Sequence, residues 1–112
     1  MDQLDITALS VMTKIGVHAW EQRIEQRLLI DMTIPHDFSA CQDELANTVD
    51  YDHLCQQVTT FVESNQFALI ETVADRVAAL IKDQFKVSQL TVRVSKPHAI
   101  KNAGNVSVTV IR

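Results

Sequence analysis

Glycine and proline are scarce: the 112-residue chain has two of each. So few turn-forming residues leave little material for long loops. They also leave no glycine-rich loop of the kind that cradles phosphates, which argues against the usual nucleotide-binding folds. Cysteine is equally sparse. Cys41 and Cys55 show no CxxC spacing. Two thiols in a chain able to build its own core read as free cysteines, and the expected compartment is a reducing cytoplasm. The four histidines, His18, His36, His53 and His98, form no HxH, HExxH or CxxC…H pattern, so scattered surface or interface histidines are a simpler reading than a metal site. No GxSxG motif is present, and neither cysteine has the setting of an activated nucleophile. The longest apolar run, Val77 to Ile81, is five residues, against about 20 for a membrane-spanning helix. Met1 to Asp5 has no positive region and no apolar stretch, so no secretory signal is expected. Positive charge is not in excess either: 10 basic and 14 acidic side chains give a net charge of −4. Nucleic acid and anionic membranes are therefore poor partners.

What is present is ordinary globular material, 46% apolar and 21% charged. That composition argues against disorder. The length suits a single domain over residues 1–112, and such a chain buries roughly two-thirds of its unfolded surface. The hydrophobic period changes along it. Leu4 to Val11 reads as a strand with apolar residues on both parities, Leu4, Ile6 and Ala8 on one and Leu9 and Val11 on the other. Over Arg27 to Thr33 the alternation is clean, with Leu28, Ile30, Met32 and Ile34 on one face. Tyr51, Leu54, Cys55, Val58, Phe61 and Val62 then recur at helical spacing, with Asp50 as a candidate N-cap. A second helical stripe runs through Leu69, Ile70, Val73, Ala74, Val77, Ala78, Leu80 and Ile81, with Asn65 and Gln66 at the break between helices. Period 2 returns at Leu90, Val92 and Val94, and again at Val106, Val108 and Val110 after the turn Asn102–Asn105.

The order ββααββ predicts an α+β fold, a four-stranded antiparallel sheet covered on one face by two helices. Leu9, Val11, Leu29 and Ile111 are expected on the uncovered face. Sheet edges must be paired, covered or blunted, so self-association through the edges or that face is expected.

Four side chains stand out chemically. Lys96 ends the third strand in Ser95-Lys96-Pro97 and shares parity with Val92 and Val94. A lysine starting on an apolar face is partly desolvated, which favours its neutral, proton-accepting form; a strand-end lysine reaching for water is the simpler alternative. Glu71 lies early in the second helix, where the dipole alone accounts for a carboxylate, or where it accepts a pair of N–H donors from a ligand. Glu21 follows Trp20 in the loop after the first strand and reads equally as a solvated acid. Tyr51 lies on the apolar stripe of the first helix, which suits core packing with the hydroxyl at the rim.

These residues lie in Ile15-Gly16-Val17-His18-Ala19-Trp20-Glu21-Gln22, Thr48-Val49-Asp50-Tyr51, Phe67-Ala68-Leu69-Ile70-Glu71, Val94-Ser95-Lys96-Pro97 and Ala103-Gly104-Asn105-Val106. In that order and register the chain resembles the bacterial dihydroneopterin aldolases of folate biosynthesis, nearly end to end. The resemblance implies the tunnelling fold: four subunits joining their sheets into an oligomeric barrel, two rings stacked into an octamer, and sites between subunits. It implies a small-molecule pterin substrate, 7,8-dihydroneopterin, cleaved by a retro-aldol step to 6-hydroxymethyl-7,8-dihydropterin and glycolaldehyde. No cofactor is implied, because the ring imine receives the electrons. Lys96 matches the catalytic lysine, Glu21 the loop glutamate near the substrate side chain, and Tyr51 the tyrosine packed on the pterin. Glu71 and the Ile70 backbone match the ring anchors. Re-addition of the aldehyde after rotation would give dihydromonapterin, so 2′-epimerase side activity is expected. Two alternatives are a dihydroneopterin triphosphate epimerase, with Lys14, Arg23 and Lys101 as candidate phosphate contacts, and a non-enzymatic oligomeric scaffold or pterin-binding module.

Overall fold

The computed structural model describes all 112 residues. Five strands form one sheet: β1 (Asp2–Ile15), β2 (Gln26–His36), β3 (Gln66–Phe67), β4 (Thr91–Pro97) and β5 (Asn105–Ile111). Their spatial order is β3-β1-β2-β4-β5. Every pairing is antiparallel except β3, which lies parallel to β1 at Lys14 and Ile15. Two helices, α1 (Tyr51–Glu63) and α2 (Ile70–Phe85), pack on one face. The fold is the expected α+β arrangement with a fifth strand added. That strand is two residues long, too short to impose a period, and it occupies the expected break between the helices.

The helices begin and end for local reasons. The Asp50 carboxylate accepts a hydrogen bond from the His53 amide at 3.1 Å, which caps α1 as its sequence predicts. Lys86 closes α2 in the left-handed conformation (φ 56°). Leu54, Val58 and Val62 of α1 meet Val73, Ala74, Val77, Ala78 and Ile81 of α2 over the sheet face formed by Leu28, Ile30, Met32, Val92 and Val94. Leu54 has no exposed surface, so truncating it to Ala would cost about 2–5 kcal/mol through lost burial and the cavity left behind.

Two expectations need correction. Leu9 and Val11 do not face away from the helices: Val11 is fully buried and Leu9 packs against the core. A bulge causes this. Between Ile6 and Leu9 one extra residue enters β1 relative to β2, and Ala8 takes a left-handed conformation (φ 57°) with its amide donating to Asp31 Oδ1 at 2.6 Å. One inserted residue swaps the faces, so Leu4 and Ile6 point inward before it, and Leu9, Val11, Thr13 and Ile15 after it. The uncovered face is mainly polar, with Asp5, Thr33, Thr91, Arg93 and Thr109 around a shallow depression. Tyr51 is not core either; it is 62% exposed. Cys55 is half-buried, and both cysteines are free.

Candidate active site

At one end of the sheet the chain forms a cavity of about 520 Å³. Its floor comes from the end of β1, the start of β2 and the end of β4. After Ile15, Gly16 bends the chain at φ 134°, and a single 3-10 turn follows at Ala19–Arg23. That turn folds Glu21 back beneath the strand end. Glu21 is thus buried, 6% exposed, and not the solvated loop acid that its position alone allows.

The Glu21 carboxylate is held by three donors. Lys96 Nζ donates to Oε2 at 2.6 Å. Gln26 Nε2 donates to the same oxygen at 3.1 Å while also donating to the Ile15 carbonyl at 2.9 Å. The His18 amide donates to Oε1 at 3.3 Å. The Lys96 contact is the main cause that lowers the Glu21 pKa from 4.5 to about 2; burial works against it, and the Gln26 and His18 donors assist. Lys96 therefore sits in an ion pair with a carboxylate.

The opposite wall is the segment Ala68–Glu71 leading into α2. Ile70 and Glu71 occupy the first turn of that helix, and its N-cap residue, Leu69, has no side-chain oxygen to accept from the first amides. The positive end of the helix dipole and the Glu71 carboxylate thus face one cavity. Three hydrogen bonds tie this wall to the floor. The Gly16 amide donates to the Phe67 carbonyl at 3.1 Å, and Gln22 Nε2 bridges the carbonyls of Gly16 (2.7 Å) and Phe67 (2.9 Å).

The structure therefore brings Lys96, Glu21, Glu71 and Ile70 together and leaves Tyr51 out, at the start of α1 and not among the residues lining the cavity. His18 and His98 line the rim, while the His53 ring packs at a tilt against Phe85 with ring centroids 5.4 Å apart. Lys14, Arg23 and Lys101 do not line the cavity. Sequence reasoning assigned no role to Gly16, Gln26 or His98. A rare glycine directly after a strand was a signal for the first. His98, in a left-handed conformation (φ 60°) after Pro97, gave none.

Residues 4–111 match the family model described as dihydroneopterin aldolase. The dihydroneopterin aldolase of Escherichia coli K12 is 40% identical over 114 residues, covering 100% of this chain and 93% of the relative. The crystal structure of E. coli dihydroneopterin aldolase in complex with neopterin superposes with a TM-score of 0.96 at 38% identity, covering 100% of this chain and 99% of that one. A Burkholderia dihydroneopterin aldolase bound to guanine gives a TM-score of 0.82 at 28% identity, with 99% and 89% covered. A Pseudomonas aeruginosa dihydroneopterin triphosphate 2′-epimerase is more distant, 29% identical over 97% of this chain and 90% of its own length.

Proposed function

The chain belongs to the dihydroneopterin aldolase family and is a carbon–carbon lyase of folate synthesis, and from that premise we propose how its residues divide the reaction. The pterin ring lies against the N-terminal turn of α2. A pterin presents a ring N–H beside an exocyclic amine, and so does guanine. One carboxylate accepts both in a bidentate arrangement, which is the role given to Glu71, with the Ile70 backbone adding a contact to the ring. The side chain at C6 then extends over the floor towards Glu21 and Lys96.

Cleavage begins with removal of the 2′-hydroxyl proton by Lys96, directly or through water, after its ammonium has released a proton to solvent. The C1′–C2′ bond breaks, the 2′ carbon leaves as the aldehyde of glycolaldehyde, and the electron pair passes into the ring C6=N5 imine. Lys96 then returns a proton to C1′, giving 6-hydroxymethyl-7,8-dihydropterin. Glu21 fixes the ammonium and orders the substrate hydroxyls. If the aldehyde turns over and re-adds first, the 2′ centre inverts, and that is the route to dihydromonapterin. The ring supplies its own electron sink, so the proposal assigns no cofactor.

Tyr51 enters from a neighbouring subunit. Its exposure, the free edge of β5 and the exposed rim residues Val17, Trp20, Leu69 and Ile100 support a ring of subunits with shared sites, and the family resemblance extends this to stacked rings. Two free thiols suit a cytoplasmic setting.

The observation that carries this reading is the 2.6 Å Lys96–Glu21 pair in the floor of a cavity whose far wall presents Glu71. Its test is incubation with 7,8-dihydroneopterin, with and without a chelator, and chromatography of the products. Release of 6-hydroxymethyl-7,8-dihydropterin and glycolaldehyde in both arms is expected. Dihydromonapterin alone, or turnover of the triphosphate only, would move the assignment to the epimerase.

A further inference from the structure

Gly16 and Gly104 are the chain's two glycines, and they sit in opposite circumstances. A Cβ added at Gly104 would meet nothing within 4 Å. A Cβ added at Gly16 would lie 2.1 Å from Glu21 Cδ, 2.2 Å from Oε1 and 2.4 Å from Oε2. The bare Cα of Gly16 is thus in direct contact with the carboxylate, and no other residue type fits beneath it.

A flexible carboxylate would ordinarily step aside at little cost. Here it has nowhere equivalent to go. Lys96, Gln26 and the His18 amide fix its direction, and Gly16 fixes its depth. Gly16 is itself pinned: its amide and carbonyl are engaged by the Phe67 carbonyl and Gln22. Added bulk at residue 16 must therefore move the carboxylate or break the link to the wall that carries Glu71.

We propose that Gly16 is a positioning residue of the site, its missing side chain forming the seat that holds the Glu21 carboxylate against Lys96. The proposal rests on the assignment of Glu21 and Lys96 as the proton-transfer pair.

The test separates the seat from backbone strain, since φ 134° disfavours any L side chain. Gly16→Ala is made in the native chain and in a Glu21→Ala background, where no carboxylate remains to displace. Stability is read by denaturant unfolding, and turnover by kcat and KM. In the native background Gly16→Ala lowers kcat by about a hundredfold, the size expected for an ångström-scale misplacement of a reacting group, with KM little changed because the ring contacts are elsewhere. In the Glu21→Ala background the same substitution leaves kcat within about twofold and costs less stability. If Gly16→Ala alone does not fold, recovery of folding in the double variant supports the seat. Equal losses in both backgrounds, or no folding in either, would overturn it, because Gly16 would then serve the backbone alone. The stability arm needs no turnover. Coupling between the two positions in an inactive protein would uphold the seat while refuting the assigned reaction.

Discussion

The floor and the rim of the cavity are built on different principles. In the floor, Glu21 is 6% exposed and its partner Lys96 has a side chain 15% exposed. Both charges are matched within one chain before any ligand arrives. At the rim, Glu71 is exposed, the first turn of α2 lacks a side-chain cap, and Trp20 and Val17 are 56% and 69% exposed. Burial explains the difference. A charge removed from water needs its donors in place permanently, or it neutralises. Groups meant to bind a ligand must keep their hydrogen-bonding capacity unspent until it comes. One chain thus holds the Lys96–Glu21 pair ready-made and leaves the Glu71 side of the cavity open, which is the division of work proposed above.

The comparison is broken most severely in the floor. Lys96→Met keeps the length of the side chain and removes the proton carrier. The expected loss is about 10²–10⁴-fold in kcat, the range for a positioned general acid–base. Neopterin affinity, measured by fluorescence titration, is expected to change little. A fully active variant would remove Lys96 from the chemistry. At the rim the pattern reverses. Glu71→Gln presents a donor where the ring presents donors. Affinity should fall by about 10- to 150-fold, the value of a charge-assisted contact, while the rate at saturation stays within about threefold. Equal losses of kcat from both variants would mean that the two halves do not divide the work.

A subtler break concerns who supplies Tyr51. Lys96→Ala and Tyr51→Ala are each prepared as inactive or weakly active homo-oligomers, then unfolded together at equal amounts and refolded. If each site joins Lys96 of one subunit to Tyr51 of the next, random mixing restores about a quarter of the sites. Mixing restores none if both residues serve the same chain's site. Recovered activity therefore reads the assembly directly.

Legibility in the sequence follows the same divide. Regular period carried the helices, β2, β4 and β5, because each buries one face against the other layer and the pattern records it. The first strand resisted reading for one reason. The bulge at Ala8 swaps its faces, so Leu4 and Leu9 both point inward although their parity differs. Misplacing Leu9 and Val11 created an apolar second face that the molecule does not have. Of the residues that the sequence singles out, Lys96, Glu71 and Glu21 line the cavity, but the state of Glu21 is not legible there. Its burial comes from a 3-10 turn and from a partner 75 residues away, and no local pattern encodes a contact of that range. Tyr51 misled in the other direction. It falls in phase with an apolar stripe at the first residue of α1, beyond the edge of the packed layer, so phase alone overstates its burial.

The smallest expected effect is also the sharpest on the floor itself. The folded state holds the Glu21 pKa near 2, below its ordinary 4.5. A carboxylate with a depressed folded pKa contributes stability that is fully present above the unfolded value, and is lost as pH falls through the folded one. The pair's contribution should therefore be constant above about pH 5.5 and fade between about pH 4.5 and 2. Asp37, whose pKa is lowered chiefly by the Ser39 amide and then by its hydroxyl, loses its contribution on the same acid side, so the native protein alone cannot isolate Glu21. The comparison with Glu21→Gln does. Asp37 and every other carboxylate remain in both proteins, and only the native chain has a residue-21 carboxylate to protonate. Denaturant unfolding at pH 6, 4 and 3 should show the native protein's advantage shrinking as the pH falls. A gap that stays constant from pH 6 to 3 would mean that the 2.6 Å contact does not hold Glu21 ionised, and the floor would lose its claim to be built in advance.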